Sequence, residues 1–316
     1  MTDDLNFEKP LNAIKAKIDT LAKTMNPTPA VREELKELRS QLACLQRDIY
    51  AKLSPWERTQ VARHPQRPTA LAYANLLFEN FTELHGDRTF SDDPAILGGL
   101  ATLAGRSIMV VAHHKGRTLK ERVKRNFGMP NPEGYRKALR LMKLAEKFNK
   151  PILTLLDSPG GNPGMGAEER GQAQAIAQNL MAMAALRVPS ISLVIGEGGS
   201  GGALAMGVTD RILMLEHSIY SVISPEGCAA ILWGSGDKVP EAAEALRLTA
   251  DDLLAFGIVD EIIPEPVGGA HENPSGMAEQ IVMSLTTHFQ KLAAVPIDEL
   301  VDLRYEKFRH IGRFNE

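Results

Sequence analysis

Ile191-Ser192-Leu193-Val194-Ile195-Gly196-Glu197-Gly198-Gly199-Ser200-Gly201-Gly202-Ala203 is an apolar run that ends in glycines. The run predicts a strand buried on both faces, and Ala203-Leu204-Ala205-Met206 predicts that a helix opens directly after it. A strand that feeds a helix through glycines lets another group approach the backbone closely. It also aims the free N–H groups and the partial positive charge of the helix start at one point, which suits a developing oxyanion. A second turn of this design lies upstream, where Ile152-Leu153-Thr154-Leu155-Leu156 runs into Asp157-Ser158-Pro159-Gly160-Gly161-Asn162-Pro163-Gly164-Met165-Gly166 and a helix from Glu168.

Working outward, further apolar strands are predicted at Ser107–Ala112, Arg211–Leu215, Ile219–Ile223 and Ile258–Ile263. Helices are predicted at Thr69–Leu84, Gly134–Phe148, Glu168–Leu186, Pro225–Leu232, Pro240–Leu248 and Ala250–Phe256. Strands that alternate with helices imply a largely parallel sheet covered by helices. Ahead of this body, Leu11, Ile14, Ile18, Leu21 and Met25, then Leu35, Leu38, Leu42, Leu45 and Ile49, follow helical spacing around Asn26-Pro27-Thr28-Pro29. They predict an antiparallel helical hairpin over residues 1–53. Residues 54–68, punctuated by Pro55, Pro65 and Pro68, read as a connecting segment. The main domain is expected over 69–295, with a C-terminal helix in 296–316.

Composition narrows the function classes. Lys and Arg number 36 against 39 Asp and Glu, a net charge of −3, so a globally basic nucleic-acid binder is not indicated. No stretch reaches the length of apolar residues that spans a membrane, and no signal peptide is read at the start, so a cytoplasmic protein without membrane attachment is expected. Cys44 and Cys228 make no CxxC pair, which supports neither a disulfide framework nor a metal site.

Several motifs compete for the glycine turn. Gly196-x-Gly198-x-x-Gly201 matches the dinucleotide fingerprint, but the helix it opens is cut short by Gly207 and the strand at Arg211, too short for the crossover that motif requires. Gly198-Gly199-Ser200-Gly201-Gly202 satisfies the nucleophile-elbow pattern, which would make Ser200 a hydrolase nucleophile. None of the eight histidines sits in a setting that marks it as the base. Lys115, Arg117, Lys120, Arg122, Lys124 and Arg125 against the single acid Glu121 form a local positive stretch, suited to a phosphate-bearing substrate or an acidic partner. Ser224-Pro225-Glu226 has the form of a helix start, a capping Ser followed by Pro and an acid in the first turn.

Taken together, Gly196–Ala205, Tyr220–Ala229, Asp157–Gly161, Arg125–Pro130 and Pro132–Met142 resemble the α-subunit family of bacterial acetyl-CoA carboxylase carboxyltransferases, and the likeness runs over essentially the whole chain. Ala250–Ile263 resembles the late helix-to-strand segment of the wider crotonase superfamily. The resemblance implies an α/β fold of the crotonase (ClpP/crotonase-like) type, built of repeated ββα units with an N-terminal helical hairpin. It implies a β subunit in an α2β2 heterotetramer with the active site at their interface. The partners implied are biotin carboxyl carrier protein and biotin carboxylase. The reaction implied is carboxyl transfer from carboxybiotin to acetyl-CoA, giving malonyl-CoA for fatty acid synthesis. Gly201 and Gly202 match the oxyanion positions. Gly198, Gly199, Ser200, Gly160, Gly161, Ser224, Pro225, Glu226, Lys115 and Arg117 are the residues expected around substrate and biotin. No metal is expected in this chain, because the family's structural zinc belongs to the β subunit.

Overall fold

The computed structural model describes residues 5–24 and 28–312. Met25, Asn26 and Pro27 of the expected hairpin turn, and residues 313–316 of the C-terminal segment, lie outside the described residues. Helices α1 (Lys9–Ala22) and α2 (Pro29–Tyr50) form the hairpin, with the Thr28 side chain accepting from Val31 N at 3.4 Å to start the second. Leu11 and Tyr50 are buried where the hairpin meets Leu53 and Val61, and Tyr50 Oη also donates to the Glu8 carboxylate.

Residues 54–68 are more than a connection. They carry helix α3 (Pro55–Ala62), started by a full capping box in which Ser54 Oγ accepts from Glu57 N at 3.3 Å and the Glu57 carboxylate accepts from Ser54 N at 2.8 Å. Both bonds satisfy first-turn donors that would otherwise be orphaned. Ser54→Ala is expected to lower stability by about 1 kcal/mol, read as a shifted urea midpoint with an unchanged slope. Beyond α3, Arg67 is fully enclosed: its guanidinium lies 2.5 and 2.8 Å from the Glu265 carboxylate and donates to Ile195 O at 2.7 Å. The proline-rich stretch therefore wedges a buried ion pair against the strand that ends in glycines.

The helix predicted from Thr69 to Leu84 stops early. Helix α4 covers Ala70–Leu77, and Glu79–Glu83 is strand β1, an antiparallel edge paired with β2 (Ile96–Leu103). β2 pairs in turn with β3 (Arg106–His113). From β3 the sheet becomes parallel through β4 (Ile152–Ser158), β5 (Ser190–Gly199) and β6 (Arg211–Leu215) to β8 (Glu261–Ile263), while β7 (Ile219–Ser221) pairs with the far end of β5 and bridges Thr249 through Ile219. Between β3 and β4 lie α5 (Leu119–Lys124) and α6 (Pro132–Lys147). Between β4 and β5 lie α7 (Met165–Glu169) and α8 (Gln172–Ala185), one predicted helix broken at Gly171, whose φ is +82°. The remaining helices are α9 (Ser200–Leu204), α10 (Pro225–Trp233), α11 (Val239–Leu246), α12 (Ala250–Ala255), α13 (Pro274–Ala293) and α14 (Ile297–Arg309).

Alternation along the strands builds a core on each face of the sheet. Ile108 and Val110 of β3, Leu153 and Leu155 of β4, and Ile191 and Leu193 of β5 pack under α4 and α13. Met109, Val111, Ile152, Leu156 and Val194 face α6, α8 and α12. The second face holds a polar clasp: Thr154 and Ser192 hydroxyls lie 2.7 and 3.1 Å from the Met206 carbonyl, just past α9. That clasp fixes the short helix against the sheet. Arg304 of α14 is likewise buried, bonding Asp210 at 2.8 and 3.0 Å and the Met183 and Leu186 carbonyls at the end of α8, each at 2.8 Å.

Candidate active site

β5 changes neighbours as it runs. Ile191–Val194 pair with β6, and Glu197–Gly199 pair with β7. The glycines lie where this exchange crowds the backbone, and their neighbours come from the protein itself. A Cβ on Gly196 would lie 2.5 Å from the Asp157 carboxylate, and one on Gly198 would lie 2.8 Å from the Tyr220 ring. At Gly199 it would overlap the Pro159 carbonyl. At Gly202 it would stand 2.5 Å from both Gly160 C and Gly161 N, and 2.8 Å from Tyr135 Oη. The two glycine-rich turns are thus interlocked. Gly201 differs, since its nearest neighbour would be Ile176 at an ordinary 3.7 Å.

Burial sorts these residues further. Gly196–Gly199 and Gly202 are buried, Gly201 is half-buried and Ser200 is exposed. The sequence places Gly198 and Gly199 beside substrate, but their immediate neighbours are Tyr220 and Pro159. In the second turn the Ser158 hydroxyl accepts from Gly160 N at 3.1 Å and donates to Gly160 O at 2.8 Å, so Gly160 N–H is already engaged while Gly161 is half-exposed. Helix α9 has no side-chain cap, in contrast to α3, α5 and α10. The N–H groups of Gly201 and Gly202 lie in its first turn, where a helix supplies no acceptor. Gly201 is the more accessible of the two, and the helix start adds positive potential there.

Ser200 has φ +53°, the strained geometry of an elbow, yet no hydrogen bond joins its hydroxyl to a base among the described residues. Among the described residues none of the histidines bonds Ser200. His113 is sealed at the end of β3 beside the Gly202 backbone, where burial and then the Lys115 charge push its pKa down to about 3. His114 is held at about 4 by burial and Arg125. His64 stacks on His271 at 3.9 Å, His217 packs on Tyr50, and His288, His85 and His310 face Glu261, Asp92 and Glu306.

Beneath the turns lies a charge cluster that sequence reasoning missed. Glu197 Oε1 accepts from Arg63 Nε at 3.0 Å and Nη2 at 2.5 Å, and its Oε2 lies 3.3 Å from Lys115 Nζ. Lys115 Nζ also meets Asp157 Oδ1 at 2.8 Å, and that oxygen accepts from Glu197 N at 3.1 Å. Burial works against charge on both Glu197 and Lys115, but the opposite charges more than offset it, so the Glu197 carboxyl is held below its usual range and the Lys115 amine above. The amine expected at substrate is therefore turned onto two carboxylates. Arg117, two residues on, is exposed. Ser224 caps α10 by accepting from Gly227 N at 3.1 Å, Pro225 begins that helix, and Glu226 meets Arg63 Nη1 at 2.5 Å. The only sequence signal for the cluster was a carboxylate set between the glycines of a buried strand; nothing local paired it with Arg63 or Asp157.

An apolar cavity of about 400 Å³ opens beside Ser200 and Gly201, lined by Leu204, Tyr220, Val222, Phe256, Ile258 and Phe308. Its size falls in the range of roughly 300–1,000 Å³ typical of small-ligand sites. A larger hollow of about 590 Å³ between α4 and α13 is remote from the glycine turns. The glycine turns mark the candidate site, because the uncapped first turn of α9 lies beside the apolar cavity. Among the described residues no group of His, Cys, Asp and Glu is arranged to hold a metal ion, and no helix is long and apolar enough to cross a membrane.

Comparison with known proteins places this geometry in a lineage. Residues 4–312 match the family model described as acetyl co-enzyme A carboxylase carboxyltransferase-like. The chain is 54% identical over 312 residues to acetyl-coenzyme A carboxylase carboxyl transferase subunit alpha of Geobacter metallireducens, covering 99% of this chain and 98% of that protein. It is 51% identical to the subunit of the same name from Methylococcus capsulatus, with 99% and 98% covered. Among solved structures it resembles the P. aeruginosa geranyl-CoA carboxylase beta subunit with a TM-score of 0.57 at 18% identity, over 78% of this chain and 46% of that one. It also resembles a Pseudomonas malonate decarboxylase hetero-tetramer in complex with coenzyme A, with a TM-score of 0.55 at 19% identity, over 66% of this chain and 84% of that one. These structural likenesses show the crotonase-type fold expected from the sequence. On the full-length match, the chain belongs to the acetyl-CoA carboxylase carboxyltransferase α-subunit family.

Proposed function

We propose that this chain is the α half of a cytoplasmic α2β2 carboxyltransferase that moves a carboxyl group from carboxybiotin to acetyl-CoA, giving malonyl-CoA. The biotin is carried on biotin carboxyl carrier protein and recharged by biotin carboxylase. The observation that carries this reading is the uncapped start of α9, where Gly201 lies on an apolar cavity, the buried Gly202 follows it, and no catalytic side chain is attached. Such a site suits a ligand that is largely apolar and bears one oxygen on which charge develops, as the biotin ureido group does. Carboxybiotin supplies the carboxyl group and, once relieved of it, the nitrogen that takes a methyl proton from acetyl-CoA.

The chain's own residues bind and polarise. Gly201 and Gly202 N–H groups hold the ureido oxygen as negative charge grows on it, and the helix start adds to that field. The apolar walls, Leu204 and Phe256 among them, exclude water from the transferring carboxyl group. Other reactions lose support from the same geometry. An enoyl-CoA hydratase needs a free acid and base, but Glu197 is clamped by Arg63 and Lys115, and Glu226 by Arg63. A serine hydrolase needs a base at Ser200, where none is bonded.

The test is malonyl-CoA decarboxylation with free biotin as acceptor, measured on this chain alone and on the chain mixed with its β subunit. Acetyl-CoA is expected from the mixture only. Turnover by the isolated chain would refute a shared site, and turnover by neither would return attention to Ser200.

A further inference from the structure

Two surfaces near the glycine turns differ in character. Around α10, Val222, Ile231, Leu232 and Trp233 expose apolar side chains, the composition of a lasting subunit contact. The segment from Arg117 to Gly128 combines charge with apolar display. Lys115 meets Asp157 and Glu197, Arg125 Nη1 donates to Pro94 O at 2.6 Å, and Arg122 is half-buried beside them. Among the described residues no ion pair neutralises Lys120 or Lys124. The one acid, Glu121, spends its carboxylate on the N–H groups of Arg117 and Thr118 in the cap of α5.

Between these cations Leu119 is 72% exposed, Val123 61% and Phe127 46%. Phe127 is held there at a conformational cost. Asn126, Phe127 and Gly128 follow one another with φ of +45°, +55° and +81°, a left-handed run that a bulky side chain avoids. The run is pinned by Gly128 N donating to Arg125 O at 2.9 Å and Asn126 Nδ2 donating to Met129 O at 3.0 Å. It adjoins the site, since a Cβ on Gly128 would lie 3.3 Å from the Asp157 carbonyl, at the start of the second glycine turn.

We propose that α5 and the 126–128 turn form the docking surface for an acidic carrier protein that brings the biotin-linked carboxyl group, with Phe127 seated in an apolar socket on the carrier. This rests on the carboxyl-transfer reading. The carrier must arrive and leave in each turnover, and a small patch dominated by unpaired charge gives fast, salt-sensitive encounter where a lasting interface needs broad apolar burial.

The experiment uses the assembled α and β subunits and malonyl-CoA with two acceptors, free biotin and the biotinylated carrier protein. Lys120→Glu with Lys124→Glu is expected to raise KM for the biotinylated carrier about tenfold and to flatten its salt dependence, leaving kcat and KM with free biotin unchanged. Lys120→Ala with Lys124→Ala should fall between this pair and wild type. Phe127→Asn, which accepts the left-handed backbone more readily, should melt no lower than wild type yet still raise the carrier KM several-fold. A raised KM for malonyl-CoA would overturn the proposal in favour of a phosphate of CoA. Loss of assembly with the β subunit would overturn it in favour of a subunit interface, and an unchanged carrier KM would overturn it outright. Failure of the wild-type assembly with free biotin would instead remove the carboxyl-transfer reading itself.

Discussion

Gly202→Ala in the α–β assembly is expected to cut malonyl-CoA decarboxylation with free biotin by about 10²–10³-fold, the cost of losing one well-placed oxyanion donor. The added methyl has no room. It would stand 2.5 Å from Gly160 C and Gly161 N and 2.8 Å from Tyr135 Oη, so the two turns must part and α9 must shift its first-turn donors. Overpacking of this kind costs about 1–3 kcal/mol, leaving a folded protein whose lost activity can be measured. Gly201→Ala is the matched control. Its methyl would meet only Ile176, at 3.7 Å, so the fold should be untouched and thermal stability unchanged or slightly higher. Because alanine keeps the N–H, a loss of kcat/KM in that variant without any change in stability reports a ligand packed against the Gly201 Cα. Full activity in Gly201→Ala, which keeps the N–H, would show that no ligand atom needs the space of that methyl, and full activity in Gly202→Ala would show that the interlock is dispensable.

The contrast between these two glycines marks what was legible in the sequence. The parallel strands from Ser107 onward were readable because a strand buried on both faces is mostly apolar, and β3 to β6 each carry such a run, interrupted in β4 and β5 only by Thr154 and Ser192 before the strand ends. The antiparallel edge was not. β1 is a polar pentapeptide, and β2 carries Gly98 and Gly99 in its interior, which read locally as a break. Their reason is tertiary: a Cβ on Gly98 would collide with Leu141 of α6, and one on Gly99 with the β1 backbone. The same blindness applied at the site. A glycine-rich strand end signals close approach, but not by what, and four of its glycines are needed for packing against Asp157, Tyr220, Pro159 and the Gly160-Gly161 turn. Arg63 was hidden in a proline-punctuated stretch, and its bond to Glu197 spans 134 positions.

Lys115→Met is expected to destabilise the protein by about 3 kcal/mol, because it removes the cation shared by two largely buried carboxylates and leaves their charges facing each other. The pH dependence separates this from a role in binding. In the native protein Glu197 is held below its ordinary 4.5, so its contribution is present above that value and lost as pH falls through the folded pKa. Lys115 is held above its ordinary 10.5, so its contribution is complete below that value and lost as pH rises through the folded pKa. Across neutral pH Glu197 and Lys115 are therefore both charged. With Met at 115, Glu197 keeps only Arg63 and still pays the desolvation of burial, so its pKa rises and acid unfolding begins at higher pH. Lys115→Arg, able to bridge both carboxylates, should restore much of the stability. Were Lys115 instead a substrate ligand, the Met variant would melt like wild type and show only a raised KM. The ring ties Asp157, which leads into Gly160, to Glu197, which leads into Gly201, so a kcat loss in step with the lost stability is the signature that it positions the two turns.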